Sequence, residues 1–214
     1  MKFLMMTLLT QLILQISYDY LKLLRLTSSY NMSLTYSSML ALGTELIPFD
    51  LSNTATRKNF SSDELDNSKP SLVMFICNHC PYVIHYHSEI QQISLDYKEQ
   101  INMVAISSND IENYPQDGPQ EMRDLWEKLD LSFPYLFDET QMIAKAYKAE
   151  CTPEFYLFDS NKKLVYRGRL DKSSPNSDIQ ISGEDLRSAL DNLLNHLPIS
   201  SEQFPSMGCN IKWK

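Results

Sequence analysis

The chain has 214 residues, 43% of them hydrophobic and 11% aromatic, enough for one well-packed α/β domain with appendages and too few for two full domains. Gly and Pro are spread through the sequence, low-complexity runs are lacking and no internal repeat is present, so most of the chain is expected to pack. A formal net charge of −8 without any dense Lys/Arg cluster excludes nucleic acid as a partner.

In chain order, the first segment is Phe3–Ile16, FLMMTLLTQLILQI, after a lone Lys2. It has the length and charge order of a signal-peptide core. Gln11, Gln15 and two threonines interrupt it, no small-x-small cleavage site follows, and it falls short of the ~18 apolar residues of a span. Tyr18–Arg25 mixes aromatics, leucines and charges and reads as an amphipathic helix on the domain or on a membrane surface. Residues 1–31 are therefore an extension or misassigned start ahead of Met32, a signal or anchor, or a structural helix. A cytoplasmic location is expected, with export or membrane association only if this segment is a genuine signal or anchor.

Residues 32–199 read as one domain and 200–214 as a C-terminal tail. Gly43–Leu51 predicts an extended leading strand ending near Asn53, and Ser61–Leu65 a short capped helical turn. Ser71–Ile76 is a nearly continuous apolar run, as in a strand covered on both faces. Val83, Tyr86, Ile90, Ile93 and Tyr97 then recur at helical spacing. Met103–Ile106 predicts a second strand, and a helix from Pro119 buries Met122, Leu125, Trp126 and Leu129. Phe133–Phe137 reads as an edge-like strand and Glu139–Tyr147 as a short helix. Glu154–Phe158 and Lys163–Tyr166 form a hairpin, and a closing helix starts from a Ser182 N-cap with Asp185 at its third position. The ending Lys212–Trp213–Lys214 reads as a solvated terminus with the Trp folded back. Parallel βαβ units followed by an antiparallel hairpin and helix predict a central mixed sheet flanked by helices.

Cys77-Asn-His-Cys80-Pro81 sits where a strand hands the chain to a helix. Unpaired N–H groups and the positive dipole end at a helix start favour a thiolate, which points to Cys77 as the attacking sulfur. Cys80, one turn later, is then the resolving thiol. Pro81 is tolerated within the first turn, where N–H groups lack partners. His79 is either a stabiliser of the thiolate or a solvent-facing spacer, and Asn78 reads as a spacer.

In Cys151-Thr152-Pro153 the X-Pro bond is the cis-proline candidate, leaving the Thr152 backbone to pair with an extended substrate segment. Cys151 is a buried small hydrophobe or a second redox group. Cys209, in the tail Pro205–Lys214, is a thiol near a docked terminus or an additional redox thiol.

These residues resemble a peroxiredoxin-like, AhpC/TSA-type branch of the thioredoxin superfamily over about Met32–Lys214. The carriers are FICNHCPYVIHYHSEI from Phe75, AISSNDIENYPQD from Ala105, FPYLFDETQMIAKAY from Phe133, CTPEFYLFD from Cys151, YRGRLD from Tyr166, SGEDLR from Ser182 and PSMGCNIKWK from Pro205. The resemblance implies a thioredoxin-like α/β fold, redox-active Cys77 and Cys80, Pro153 at the cis-proline position and a tail that includes Cys209. The Pro-x-x-x-Thr/Ser-x-x-Cys motif of true peroxiredoxins is missing, because Cys77 stands three residues before Cys80.

The leading function is a thiol–disulfide oxidoreductase, with Thr152 and Pro153 binding substrate, protein or small-thiol disulfides as partners, a thiol reductant, and no bound cofactor or metal. A hydroperoxide reductase is the second enzymatic reading. A copper or zinc carrier using Cys77, His79, Cys80, His85 and His87 is the binding-protein alternative, although His85 and His87, two apart on a helix, point in different directions. A redox-inert interaction module is the last.

Overall fold

Two sheets organise residues 34–214, the part of the chain that this computed structural model describes. The leader, anchor and amphipathic-helix readings of residues 1–31 lie outside the described residues. The strands are β1 (Leu34–Tyr36), β2 (Asp50–Asn53), β3 (Lys58–Ser61), β4 (Ser71–Phe75), β5 (Asn102–Ser107), β6 (Tyr135–Phe137), β7 (Cys151–Thr152), β8 (Glu154–Phe158), β9 (Leu164–Gly168) and β10 (Met207–Asn210). The helices are α1 (Pro81–Asp96), α2 (Pro119–Lys128), α3 (Met142–Tyr147) and α4 (Glu184–Leu194). The larger sheet runs β3-β2-β6-β5-β4-β8-β9, parallel at β4–β5 and β5–β6 and antiparallel elsewhere; the smaller runs β1-β10-β7. This is the mixed sheet flanked by helices that the element order predicts. Among the described residues no helix is long and apolar enough to cross a membrane.

The central strand shows why its sequence is almost wholly apolar. All five residues of β4 are buried, because successive side chains enter different cores. Leu72 and Met74 join Val83, Tyr86, Ile90 and Ile93 of α1 and Leu186 and Leu190 of α4. Val73 and Phe75 join Tyr147, Tyr156 and Phe158 on the other face. There the ring of Phe75 tilts against Tyr147 at 5.4 Å and meets Tyr156 edge-on at 5.9 Å.

Four local expectations change. The stretch from Gly43 does not form a long strand: Gly43 has φ +82°, Pro48 lacks a donor, and regular pairing begins at Asp50. β6 is internal rather than an edge, since the β2–β3 hairpin pairs with it through Ser52 and Asn53. Gly183, at φ +65°, caps α4 in place of Ser182, and the Asp171 carboxylate accepts from the N–H groups of both Ser182 and Gly183. Lys212 is buried at 5% exposure, not solvated. The Ser61 turn is as expected, with a reciprocal box in which the Ser61 N–H donates to Glu64 and the Asp63 N–H to the Ser61 hydroxyl.

Glu154 opens β8 with its side chain buried, accepting from the Tyr156 hydroxyl at 2.7 Å and the Glu150 N–H at 3.0 Å. Burial raises its carboxyl to about 7. A folded-state value above the unfolded one makes the folded protein bind the extra proton, so this contribution is fully present below the ordinary value of 4.5 and disappears as pH rises through about 7. Unfolding of the reduced protein by urea is expected to show stability falling, by up to about 3 kcal/mol, between about pH 5 and pH 8. Glu154→Gln is expected to flatten that slope; an unchanged slope would assign it to other groups.

Candidate active site

The handover from β4 to α1 differs from the sequence expectation by one helical turn. The chain leaves the sheet at Ile76, whose N–H donates to Ile106 O at 3.0 Å, and Cys77-Asn78-His79 forms a turn before the helix. α1 begins at Pro81 with Cys80 as its N-cap. The residue at the helix entrance is therefore Cys80 and not Cys77. Pro81 explains the offset, since its ring disfavours a helical conformation in the preceding residue, and Cys80 is extended at φ −68°, ψ 121°.

The turn is held by Asp117, a fully buried carboxylate. Its Oδ1 accepts from the N–H groups of Asn78 (2.8 Å) and His79 (3.3 Å). Its Oδ2 accepts from Asn109 Nδ2 at 2.8 Å and stands 2.6 Å from His79 Nδ1. The His79 ring stacks on Tyr114 at 5.6 Å and 10°. Asn78 is more than a spacer: its amide donates to Gln116 O at 3.1 Å and accepts from the Tyr135 hydroxyl at 3.1 Å. Asp117 closes the AISSNDIENYPQD stretch that carries the family resemblance, but nothing in its Pro-Gln-Asp-Gly setting pointed to this role.

Three of the four cysteines converge. Cys77, Cys80 and Cys209 are each buried, and none of the four is in a disulfide. Cys80 Sγ lies 2.8 Å from Cys209 Sγ and 3.2 Å from Thr152 O, while Cys77 Sγ lies 3.3 Å from Thr152 Oγ1. Hydrogen bonding with the Cys209 and Cys77 thiols lowers the Cys80 thiol well below its ordinary range, against its own burial. Burial, the hydrogen bond to Cys80 and the charge of Asp117 all raise Cys77. Cys209 is raised chiefly by its hydrogen bond with Cys80, then by burial. Of the three thiols only Cys80 is shifted toward its anion, and it is so shifted although the Thr152 carbonyl, 3.2 Å away, accepts from its thiol form.

The Thr152–Pro153 peptide is cis, as the sequence predicted. Its neighbourhood is not as predicted: β7 pairs antiparallel with the chain's own β10, Cys209 opposite Thr152 and Asn210 opposite Cys151, so the Thr152 backbone is already occupied. Cys151 is a buried small group, its thiol raised by burial and by Glu154.

The metal-ligand set read from sequence does not assemble. His85 Nε2 sits 2.9 Å from Ser173 Oγ, and His87 is half-buried beside the charge of Lys128. Donor atoms of Cys77, His79 and Asp117 do lie within 4.8 Å of one another, the one such group of three among the described residues. The Asp117 oxygens are already engaged by three N–H donors and His79, so the cluster reads as the anchor of the turn.

A cysteine at a helix entrance, a second cysteine three residues earlier and a cis-proline loop against both, on a mixed sheet flanked by helices, define a thioredoxin-like redox protein. The Redoxin family model matches residues 41–181, and the chain belongs to that family. An uncharacterised conserved protein from Geobacillus kaustophilus is 46% identical, covers 86% of this chain and 98% of its own, and superposes with a TM-score of 0.84. A hypothetical protein from Sinorhizobium meliloti is 36% identical over 84% of this chain and 98% of its own, with a TM-score of 0.81. A secreted Mycobacterium tuberculosis disulfide oxidoreductase shares the fold at 17% identity, covering 68% of this chain and 96% of its own, with a TM-score of 0.53. No curated protein matches the chain.

Proposed function

We propose that this redoxin is a thiol–disulfide oxidoreductase in which Cys80 is the attacking thiolate and Cys77 a resolving thiol. The observation that supports it most directly is Cys80 at the N-cap of α1, where N–H groups and two neighbouring thiols favour its anion. The roles are thus the reverse of those read from the motif alone. Cys80 attacks one sulfur of a disulfide RSSR′ and expels R′S⁻, and Cys77 then attacks the Cys80 sulfur of the mixed disulfide and expels RS⁻. Two electrons reach the substrate and a Cys77–Cys80 disulfide remains for a thiol reductant to reduce. The substrates are disulfides of proteins or of small thiols.

Hydroperoxide reduction is the second reading, favoured by the same crowding of thiols around Cys80. A peroxide would convert Cys80 to a sulfenic acid, and a neighbouring thiol would condense with it and release water. The test of the main reading equilibrates the full chain with glutathione buffers, traps thiols and counts them by mass. A reversible two-electron couple that vanishes in Cys80→Ser is expected. Thiols that stay reduced at every poise would defeat the oxidoreductase reading.

A further inference from the structure

The C-terminal strand shows how this redox site handles its intermediates, an inference that rests on Cys80 being the reactive sulfur. β10 lies between two strands. On one side it pairs with β7 at the cis-proline loop, and on the other with β1, Leu34 opposite Cys209 and Tyr36 opposite Met207. It therefore occupies the backbone edge that the sequence reserved for an incoming substrate.

The fit against that edge is tight. A Cβ on Gly208 would stand 2.0 Å from Thr152 O, 2.8 Å from Thr152 C and 3.4 Å from Pro153 Cδ. Only glycine permits β10 to come this close. Beyond the strand, the Ile211 N–H donates to Glu150 O at 3.0 Å, the Lys212 N–H to Asn109 Oδ1 at 2.8 Å and the Asp110 N–H to Lys212 O at 2.8 Å. The buried Gln141 amide donates to Lys212 O at 2.8 Å and accepts from the Lys214 N–H at 2.9 Å. Cys209 is thus fixed from both sides with its sulfur on Cys80. Cys209 Sγ is in direct contact with Cys80 Sγ, the placement from which a disulfide between them can form.

We propose that β10 is a built-in substrate strand and that Cys209 is a second resolving thiol for Cys80. After Cys80 has taken the group RS from a disulfide, Cys209 attacks the Cys80 sulfur. The Cys80–SR bond breaks, the Cys80–Cys209 bond forms, and RS⁻ leaves with the proton that Cys209 gives up. The two electrons come from Cys80 and Cys209. Cys77 can then attack Cys80 in turn, moving the disulfide to Cys77–Cys80 and returning Cys209 to its thiol with no further oxidant. The helix-entrance sulfur thus serves two partners, one in its own motif and one 129 residues away.

The test uses the full chain, reduced, then treated with oxidised glutathione, alkylated and mapped by peptide mass fragmentation. Wild type is expected to yield a Cys80–Cys209 link, and Cys77→Ser is expected to lose two thiols to that same link. In Gly208→Ala the Cys80–Cys209 link should fall at least about tenfold while Cys77–Cys80 persists. The proposal is overturned if wild type gives only Cys77–Cys80 and Cys77→Ser stops at a Cys80–glutathione adduct with Cys209 alkylated, a result that leaves the oxidoreductase reading intact. If no disulfide or adduct forms in wild type, both readings fail together.

Discussion

Replacing Cys80 with serine should cut single-turnover exchange with a small aromatic disulfide by roughly 10³-fold or more, since the attacking group itself is removed. Cys77→Ser should lose far less, within about tenfold, because Cys80 remains at the helix entrance with Cys209 beside it. The order of the two variants is the decisive observation. The motif position alone puts the attacking thiolate on Cys77 and predicts the opposite order. The pH dependence separates the same alternatives: with Cys80 lowered by its thiol neighbours, the rate should stay nearly flat as pH falls from about 7 to about 5. An ordinary thiol, with its pKa near 8.5, would lose about tenfold of its thiolate per unit. A tenfold loss per unit in the wild type would place the charge elsewhere.

Asp117→Ala is expected to act in two directions at once. Its carboxylate accepts from two backbone N–H groups and one amide in a fully buried setting, and truncation strands those donors. The expected loss is about 3 kcal/mol, read as a fall in the urea midpoint of the reduced protein. At the same time the negative charge that opposes ionisation of Cys77 is gone, so Cys77 should alkylate faster in Cys80→Ser/Asp117→Ala than in Cys80→Ser. A stability loss with no gain in Cys77 reactivity would restrict Asp117 to holding the turn.

The parts of this protein that were legible in the sequence are those where one physical pattern dominates. The apolar run of β4 and the spacing of Val83, Tyr86, Ile90 and Ile93 in α1 gave strand and helix directly, and Thr152-Pro153 announced its cis bond. The helix starts one turn beyond Cys77 because Pro81 holds Cys80 in an extended conformation, a restriction that the Cys-x-x-Cys spacing by itself does not express. Asp117 lies within a stretch that carries the family resemblance, but its role was not legible, because it comes from three N–H donors contributed by residues 78, 79 and 109, a tertiary arrangement with no local signature. Cys209 was visible as a cysteine in a Gly-containing tail, but its neighbour was not: strand pairing between residues 151–152 and 209–210 leaves no periodicity to read. Gly208 was the one available hint, a glycine beside a cysteine where a backbone must approach closely.

The pairing of β10 into a sheet with β1 and β7 also has a bearing on biosynthesis. Synthesis proceeds from the N-terminus, and structure can form as the chain emerges. Cys77 and Cys80 are made long before Cys209, which follows Cys80 by 129 residues. For the whole of that interval the motif cysteines have only each other and the rest of the nascent chain as partners. An oxidising encounter on the ribosome would therefore trap a Cys77–Cys80 bond, whereas the three-thiol arrangement becomes available only after β10 has docked between β1 and the cis-proline loop.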